Sequence, residues 1–461
     1  MGKRLHFIAI GGAAMHNLAL ALQKNGNIIT GSDDEIMEPS RTRLEEAGLL
    51  PQNVGWFPEK IVTELDCVIL GMHARADNPE LIRALSLDIP VFSFPEFLYE
   101  HSKNKQRVVI GGSHGKTTIT SMILHVLRLM EYDFDYMVGA KIDGFDTMVR
   151  LSDAPLIILE GDEYLSSPID RRPKFHLYKA TIGLLSGIAW DHINVFPTIE
   201  NYLQQFKIFA DNISPDGTLI YCLNDSEVKS IVENSKTKAE KIFYSIPDNE
   251  IIDGVTYLLT EEGRIPLSIF GEHNLLNLEG ARLVCEKLAI SKQVFYKAIS
   301  SFKGAERRLE LLAKNDSIAV YKDFAHSPSK LKATISAVRN QFPDRKLIAC
   351  MELHTFSSLN ENFLNQYSAT MDEADIAFVY FNPHTVEHKK LKPVSEAIVK
   401  NAFNNPRIKV YTNSIELQKA LLVLGLPQSV FLVMSSGNFD GMDMNNLASK
   451  LVGNNSIMQS I

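Results

Sequence analysis

Short apolar runs alternate with stretches of helical periodicity along almost the whole chain, the pattern of a parallel α/β fold. Leu5–Ile10 predicts a buried strand, Gly11-Gly12-Ala13-Ala14 breaks it, and Met15–Lys24 continues with helical spacing. A second strand, Asn27–Thr30, runs into Gly31-Ser32-Asp33, and Cys67–Leu70 and Val91–Phe94 follow as strands. Strand, glycine turn, helix, then a strand ending near an acidic residue is a Rossmann-like order.

The series restarts twice. Strand Arg107–Ile110 leads into Gly111-Gly112-Ser113-His114-Gly115-Lys116-Thr117-Thr118 and a helical stretch to Met130; Leu156–Leu159 and Ala180–Leu185 are further strands. Ile251–Phe270 reads as hairpins turning at Gly254 and Gly263. From Lys303 onward the strands Ser317–Tyr321, Lys346–Met351, Ile376–Tyr380, Ile408–Tyr411 and Val430–Met434 alternate with helical patterns. These restarts predict an α/β protein of three domains: a Rossmann-like domain over 1–103, a central P-loop domain with a mostly parallel sheet over 104–302, and a second Rossmann-like domain over 303–461. The length of 461 residues agrees, since about 150 residues per domain gives ~3.

Composition narrows the class only a little. Hydrophobic residues make up 45% and charged residues 22%, which excludes disorder of the whole chain. The net charge of −8 argues against a sequence-independent grip on nucleic acid, which needs a basic surface, but leaves room for a local basic pocket around a phosphorylated small molecule. Apolar runs such as Leu421–Leu426 and Val430–Met434 fall well short of the ~18–20 residues of a membrane span. The basic, then apolar, start of the chain imitates a leader, yet His6, His16 and Asn17 interrupt it and Gly11-Gly12 breaks it as a helix. Cys67, Cys222, Cys285 and Cys350 are widely spaced and make no CxxC pair or disulfide framework, so a reducing cytoplasm is expected.

The strongest chemical signal is Gly112-Ser113-His114-Gly115-Lys116-Thr117-Thr118 between a strand and a long helix. Such a turn exposes backbone N–H groups to phosphate, Lys116 can reach the β and γ phosphates, and Thr117 can place its hydroxyl on Mg²⁺. Ile110 stands where the standard GxxxxGK[ST] motif has glycine. Downstream, Glu160 closes a strand and His192 follows another. A carboxylate and an imidazole there suit metal ions beside a triphosphate, although a solvated acidic loop and a core histidine are the ordinary alternatives. Asn274 and Asn277 are three apart and share a helix face; carboxamides suit an adenine edge, and equally an N-cap with a polar face. The basic run Arg171, Arg172, Lys174 is either a solvated loop or a grip on phosphate or carboxylate.

In order and combination, these motifs resemble the Mur ligases, the ATP-dependent amide-forming enzymes of peptidoglycan synthesis. The resemblance spans essentially the whole chain. It is carried by Gly11-Gly12-Ala13-Ala14-Met15, Gly31-Ser32-Asp33, Ser113–Thr118, Glu160-Gly161-Asp162-Glu163, Asp191-His192, Gly271–Asn277, Arg307-Arg308-Leu309-Glu310 and Asp323-Phe324-Ala325-His326-Ser327-Pro328. Ala9, Ala14, Gly161, Lys322 and Ser327 depart from the family pattern, as does the run Ser186–Trp190.

The resemblance implies that the first domain binds UDP-N-acetylmuramate through Gly11, Gly12, Ala13, Ala14, Met15, Ser32, Asp33 and His73, with His114 contributing from the phosphate loop. It implies ATP on Gly112–Thr118, Asn274, Asn277, Arg308 and Asp323, Mg²⁺ on Thr117, Glu160 and His192, and catalytic roles for Lys116, His192, Arg308 and His326. The third domain takes the amine, with His354, Ser435 and Asn438 as substrate contacts, and Arg171, Arg172 and Lys174 of the central domain are further candidate substrate contacts. Reactive acyl phosphate has to be kept from water, so domain closure is expected. Lys207, fifteen residues after His192, occupies a spacing at which several relatives carry a carbamylated lysine; a surface lysine packed along its stem is the plainer expectation.

Two branches of the family fit. One adds L-alanine to UDP-N-acetylmuramate; the other adds a whole tripeptide, L-alanyl-γ-D-glutamyl-meso-diaminopimelate, in peptidoglycan recycling. The stretch Glu163–Tyr178, with its Asp170-Arg171-Arg172-Pro173-Lys174-Phe175 run, is more similar to the tripeptide branch. A monomer or weak dimer is expected. A non-catalytic muropeptide sensor and a NAD-dependent oxidoreductase are the readings from other classes; the first glycine turn lacks GxGxxG, which weakens the second.

Overall fold

The computed structural model describes residues 2–142, 144–190, 195–304, 308–424 and 427–453. Their contacts divide into two compact units, residues 1–246 with 276–299, and residues 247–275 with 300–461.

The first unit holds two sheets. The N-terminal one contains β1 (Arg4–Ile8), β2 (Ile28–Ser32), β3 (Cys67–Leu70) and β4 (Val91–Ser93) in the parallel order β2-β1-β3-β4. The predicted strand Leu5–Ile10 ends early, at Ile8. Ala9 turns into the left-handed region at φ 67°, and Ala9 and Ile10 both donate to Ser32 O. Helix α1 (Ala13–Lys24) follows this turn and buries Met15, Leu18, Ala19 and Leu22.

The second sheet contains β5 (Gln106–Gly111), β6 (Asp135–Met137), β7 (Val149–Arg150), β8 (Leu156–Glu160), β9 (Ile182–Leu185), β10 (Thr218–Cys222) and β11 (Glu240–Tyr244). Its order is β11-β10-β9-β5-β8-β6-β7, parallel except for β7. The strands read as continuous apolar runs because helices cover both faces. Successive strands leave β5 in both directions, β8 on one side and β9 on the other. In an open parallel sheet the crevice for a ligand forms at such a switch point, beyond the carboxyl ends of the strands. Helix α2 (Lys116–Leu129) starts there, and helix α3 (Ile199–Asp211) packs nearby through Tyr202, Phe206 and Phe209.

The second unit contains the antiparallel sheet β12 (Asn249–Ile252), β13 (Val255–Thr260), β14 (Gly263–Leu267), which matches the predicted hairpins. It also contains β15 (Glu310–Lys314), β16 (Ile318–Asp323), β17 (Lys346–Glu352), β18 (Ile376–Tyr380), β19 (Ile408–Tyr411) and β20 (Ser429–Met434) in the order β15-β16-β20-β17-β18-β19. Only β15 runs antiparallel to its neighbour in this sheet. One face packs on helix α5 (Pro328–Gln341) through Leu331, Ile335 and Val338, the other on helix α6 (Met444–Gly453) through Leu447 and Leu451. Helix α4 (Glu272–Lys287) has its first residues in this unit and the rest in the other. Among the described residues no helix is long and apolar enough to cross a membrane.

Candidate nucleotide-binding site

Strands β5, β8 and β9 all end at the switch point, and each delivers part of one site. After β5, Gly112 (φ 135°) and Gly115 (φ 80°) take backbone angles that side-chain-bearing residues rarely adopt, and α2 begins at Lys116. The carboxamide of Asn277 lies against this loop: a Cβ on Gly115 would be 2.4 Å from its Oδ1. Gly187, after β9, packs on the ring of His114, where a Cβ would meet Cε1 at 2.2 Å. Ser113 N donates to Gly187 O at 2.8 Å.

After β8 come three carboxylates. Thr117 Oγ1 donates to Glu160 Oε1 at 2.8 Å, and Gly139 N donates to Oε2 at 2.7 Å. Lys174 Nζ reaches Asp162 Oδ2 at 2.5 Å. Lys116 Nζ donates to Gly112 O and to Glu163 Oε2, both at 2.5 Å. Burial opposes the Lys116 charge, but Glu163, Asp162 and Glu160 outweigh it and hold the ammonium above the ordinary lysine value. Burial pushes Glu160 up, against the pull of the Gly139 N–H, Lys116 and Thr117. Asp162 is also opposed by burial, yet Lys174 and Lys116 keep it well below the usual carboxylate range.

The Thr117–Glu160 pair fits a hard dication. Its oxygens are 2.8 Å apart, close to the ~2.9 Å between adjacent ligands of an octahedral Mg²⁺ at ~2.05 Å. Among the described residues no group of three or more His, Cys, Asp or Glu side chains surrounds a metal position. Mg²⁺ takes one or two protein oxygens and fills the rest of its shell from phosphate and water. His192 lies outside the described residues.

Two residues to which the sequence assigned no site role belong to this site: Glu163, read there only as part of a motif, and Tyr202. Glu163 Oε1 accepts from Tyr202 OH at 3.0 Å, and Tyr202 OH lies 2.9 Å from Ser113 Oγ, which accepts from Ala189 N at 3.0 Å. Tyr202 is fully buried on α3, thirty-nine residues from Glu163 in sequence, so no local pattern marks it.

The basic run divides. Arg172 pairs with Asp170 through two nitrogens (3.0 and 2.6 Å), Lys174 holds Asp162, and Arg171 is exposed. Lys207 pairs with Asp211 at 2.9 Å, one turn along α3.

In the N-terminal sheet, Gly11 N donates to Asp33 Oδ2 at 2.6 Å, which fixes the turn of Gly11, Gly12, Ala13, Ala14 and Met15 against the end of β2. Burial pushes the Asp33 carboxyl up, against the pull of the Gly11 and Glu35 N–H groups. Ser32 Oγ accepts from Lys60 Nζ at 3.0 Å, and His73 is exposed just after β3.

In the second unit, Asp323 is buried and fully engaged with backbone: Leu309 N donates to Oδ2 and Ala325 N to Oδ1, both at 2.7 Å. The Arg308 guanidinium lies over the Phe324 ring at 5.0 Å, and His326 Nδ1 is 2.9 Å from Phe324 O. Asn274, unlike Asn277, spends its amide on Phe270 O at 2.9 Å. Ser435 Oγ donates to Glu352 Oε2, and Phe439 N donates to the same oxygen at 2.9 Å. His354 Nδ1 lies 3.7 Å from Glu352 Oε1. Ser435 and Asn438 line a cavity of about 230 Å³ together with Glu310, Lys322 and Met442.

Three sequence models of one family match the chain in succession: "Mur ligase family, catalytic domain" over residues 4–106, "Mur ligase middle domain" over 110–285, and "Mur ligase, glutamate ligase domain" over 307–437. The UDP-N-acetylmuramate–L-alanine ligase of Sulfurihydrogenibium sp. (strain YO3AOP1) is 33% identical over 384 residues, 82% of each chain. The chain belongs to the Mur ligase family.

It is therefore an ATP-dependent ligase that forms an amide bond. Among solved structures, this Mur ligase is similar to a UDP-N-acetylmuramate-alanine ligase from Thermotoga maritima (TM-score 0.70, 19% identity, 99% of both chains). It is also similar to a murein peptide ligase from Psychrobacter arcticus 273-4 (TM-score 0.65, 23% identity, 98% and 99% of the chains). Both likenesses bear on the fold, and they accord with the expected three-domain α/β architecture. The sequence relative carries the alanine-adding name, so the comparisons favour that branch over the tripeptide-joining one expected from Glu163–Tyr178.

Proposed function

We propose that this Mur ligase joins L-alanine to the lactoyl carboxylate of UDP-N-acetylmuramate with consumption of ATP. The 33% identity over 82% of both chains to an L-alanine ligase carries the reading. The lactoyl carboxylate attacks the γ-phosphorus of ATP, ADP leaves, and the resulting acyl phosphate loses inorganic phosphate to the alanine amine. Phosphoryl transfer asks the protein mainly for positioning and charge neutralisation. The N–H groups of Gly112, His114 and Gly115, the start of α2, and the Lys116 ammonium supply both; the Ser113 N–H is spent on Gly187 O, which holds the loop in shape, and Asn277 braces it. Thr117 and Glu160 would hold Mg²⁺, which when bound offsets the charge of the triphosphate. His192 is proposed as a further ligand.

The turn at Gly11–Met15, Ser32, Asp33 and His73 is proposed to take the UDP-sugar, with His114. Arg308 and Asp323 are proposed for the nucleotide, His326 for the incoming amine, and His354, Ser435 and Asn438 for the rest of the amine substrate. Asp323 would act through the backbone it fixes, because both its oxygens already accept N–H groups. Lys207 is proposed as an unmodified lysine, paired with Asp211.

A second reading is transfer of the tripeptide, which presents the same L-alanyl amine. It is favoured by the loop that the Leu165–Pro173 bridge closes, which exposes Arg171, a guanidinium suited to a peptide's additional carboxylates. Phosphate release is the deciding measurement, with UDP-N-acetylmuramate and MgATP plus either L-alanine or the tripeptide. Turnover with L-alanine is expected. Turnover with the tripeptide alone transfers the assignment to the second reading, and silence with both removes the ligase substrates proposed here.

A further inference from the structure

Lys116 is already occupied by an anion of the protein itself. Its ammonium donates to Glu163 Oε2 at 2.5 Å, with side-chain exposures of 13% for Lys116 and 1% for Glu163. Glu163 is in turn held from behind. Tyr202 OH donates to its other oxygen at 3.0 Å and lies 2.9 Å from the Oγ of Ser113, whose backbone N–H donates to Gly187 O. The carboxylate is thus fixed on the loop that receives phosphate. Among the described residues, the acids Glu160, Asp162 and Glu163 and the lysines Lys116 and Lys174 stand around the loop, with Lys174 taken by Asp162. The Lys116 charge is therefore already answered by a protein carboxylate before any ligand arrives, in a buried setting where charges are weakly screened.

We propose that Glu163 is a built-in competitor for the nucleotide phosphate: it holds Lys116 when the site is empty, and phosphate must displace it. This inference rests on the loop being the nucleotide site. Two like charges cannot share one buried ammonium without repulsion, so phosphate entry requires Glu163 to leave Lys116 or a cation to arrive with the phosphate. Thr117 and Glu160 offer the place for that cation. Bare nucleotide should then bind poorly and its Mg²⁺ complex well, with Glu163 responsible for much of the difference. The latch keeps Lys116 charged, aimed and shielded between turnovers, at a cost in intrinsic affinity.

The test is ADP binding by titration calorimetry to the full-length wild type, Glu163→Gln and Glu163→Ala, each in Mg²⁺ and in EDTA, with folding checked by thermal unfolding. Removing the competing charge is expected to raise ADP affinity in EDTA on the order of tenfold or more, as for release of a charge-assisted hydrogen bond. The ratio of affinities in Mg²⁺ and EDTA should shrink with it. The neutral glutamine keeps the size and the acceptor for Tyr202, so a merely structural role for Glu163 would leave that ratio unchanged. If one variant does not fold, the other decides. Wild type that binds MgADP together with variants whose EDTA affinity is unchanged or lower would overturn the competitor role alone. Wild type that binds no ADP even with Mg²⁺ would overturn the nucleotide reading beneath it as well.

Discussion

A methyl group at Gly115 would lie 2.4 Å from Asn277 Oδ1 and would sit on a backbone at φ 80°. Both the contact and the angle oppose it, and angles of this kind cost a side-chain-bearing residue roughly 1–3 kcal/mol. The strain falls on the phosphate loop, so Gly115→Ala should weaken MgADP binding by about tenfold or more while leaving the rest of the unit folded; calorimetric titration beside a thermal melt checks this. The glycines and Lys116 were legible in sequence because a phosphate loop is contiguous, with all its chemistry within seven residues. Glu163 was quoted in the sequence motif, but its pairing with Lys116 was not readable, and Tyr202 left no trace, because their link is made across three elements. Asn274 and Asn277 look equivalent by spacing, and only the structure separates the one spent on Phe270 O from the one at the loop. Likewise two of the three basic residues in 171–174 answer neighbouring acids, a pairing that composition alone does not distinguish from a substrate grip.

The segment just beyond that basic run shows what an element contributes. The single helical turn Lys174–Leu177 is too short to hold itself together and depends on tertiary contacts. Phe175 stacks on Phe209 at 4.9 Å, and His176 Nε2 lies 2.7 Å from Gln205 O, so the ring must carry its proton on Nε2. Burial drives the His176 pKa down to about 4, with the Gln205 carbonyl and Asp170 pulling it up and Arg172 pushing it further down. The sign follows from linkage. Below the unfolded value of ~6.5 the unfolded chain takes up a proton that the folded chain refuses, so this contribution is intact above ~6.5 and is lost as pH falls toward 4. Urea unfolding of the wild type should therefore show stability falling over that window by up to about 3 kcal/mol from this group. His176→Gln should be less stable at pH 7 but flatter below it; an equally steep fall in the variant would assign the acid sensitivity elsewhere. Element boundaries followed the apolar runs except where a backbone angle ended the element first. The first predicted strand overran to Ile10 because Ala9 leaves the strand by a backbone angle its sequence does not announce. Gly161 has a plain reason to be glycine here, since a Cβ would meet Val109 Cγ1 at 2.9 Å and Ile110 O at 3.0 Å.

Over the whole molecule, the alternation of strands and helices made the α/β class readable. The attachment of β12–β14 to the second unit was not, because that grouping depends on contacts distant in sequence. The four cysteines turn this division into a measurement. All four are free and buried, Cys67, Cys222 and Cys285 in the first unit and Cys350 in the second. Burial pushes each thiol up, Cys67 to about 11 and the others in the same direction, so almost no thiolate exists near neutral pH and no reagent reaches it. Labelling must then wait for opening, and its rate reports the population of the opened unit when reclosing is fast. Cys222 ends β10 and Cys285 lies in α4, in the unit that carries the phosphate loop. A ligand that binds only the closed form lowers the open population by 1 + [L]/Kd, so MgADP at a hundred times its Kd should slow labelling of both about a hundredfold. Mass spectrometry of peptides after timed alkylation reads each site separately. Rapid labelling of Cys222 or Cys285 in the native enzyme would contradict their burial. Slow labelling that MgADP leaves unchanged would show that these thiols open by a local motion that spares the phosphate loop, and would uncouple the α4 core from the nucleotide site.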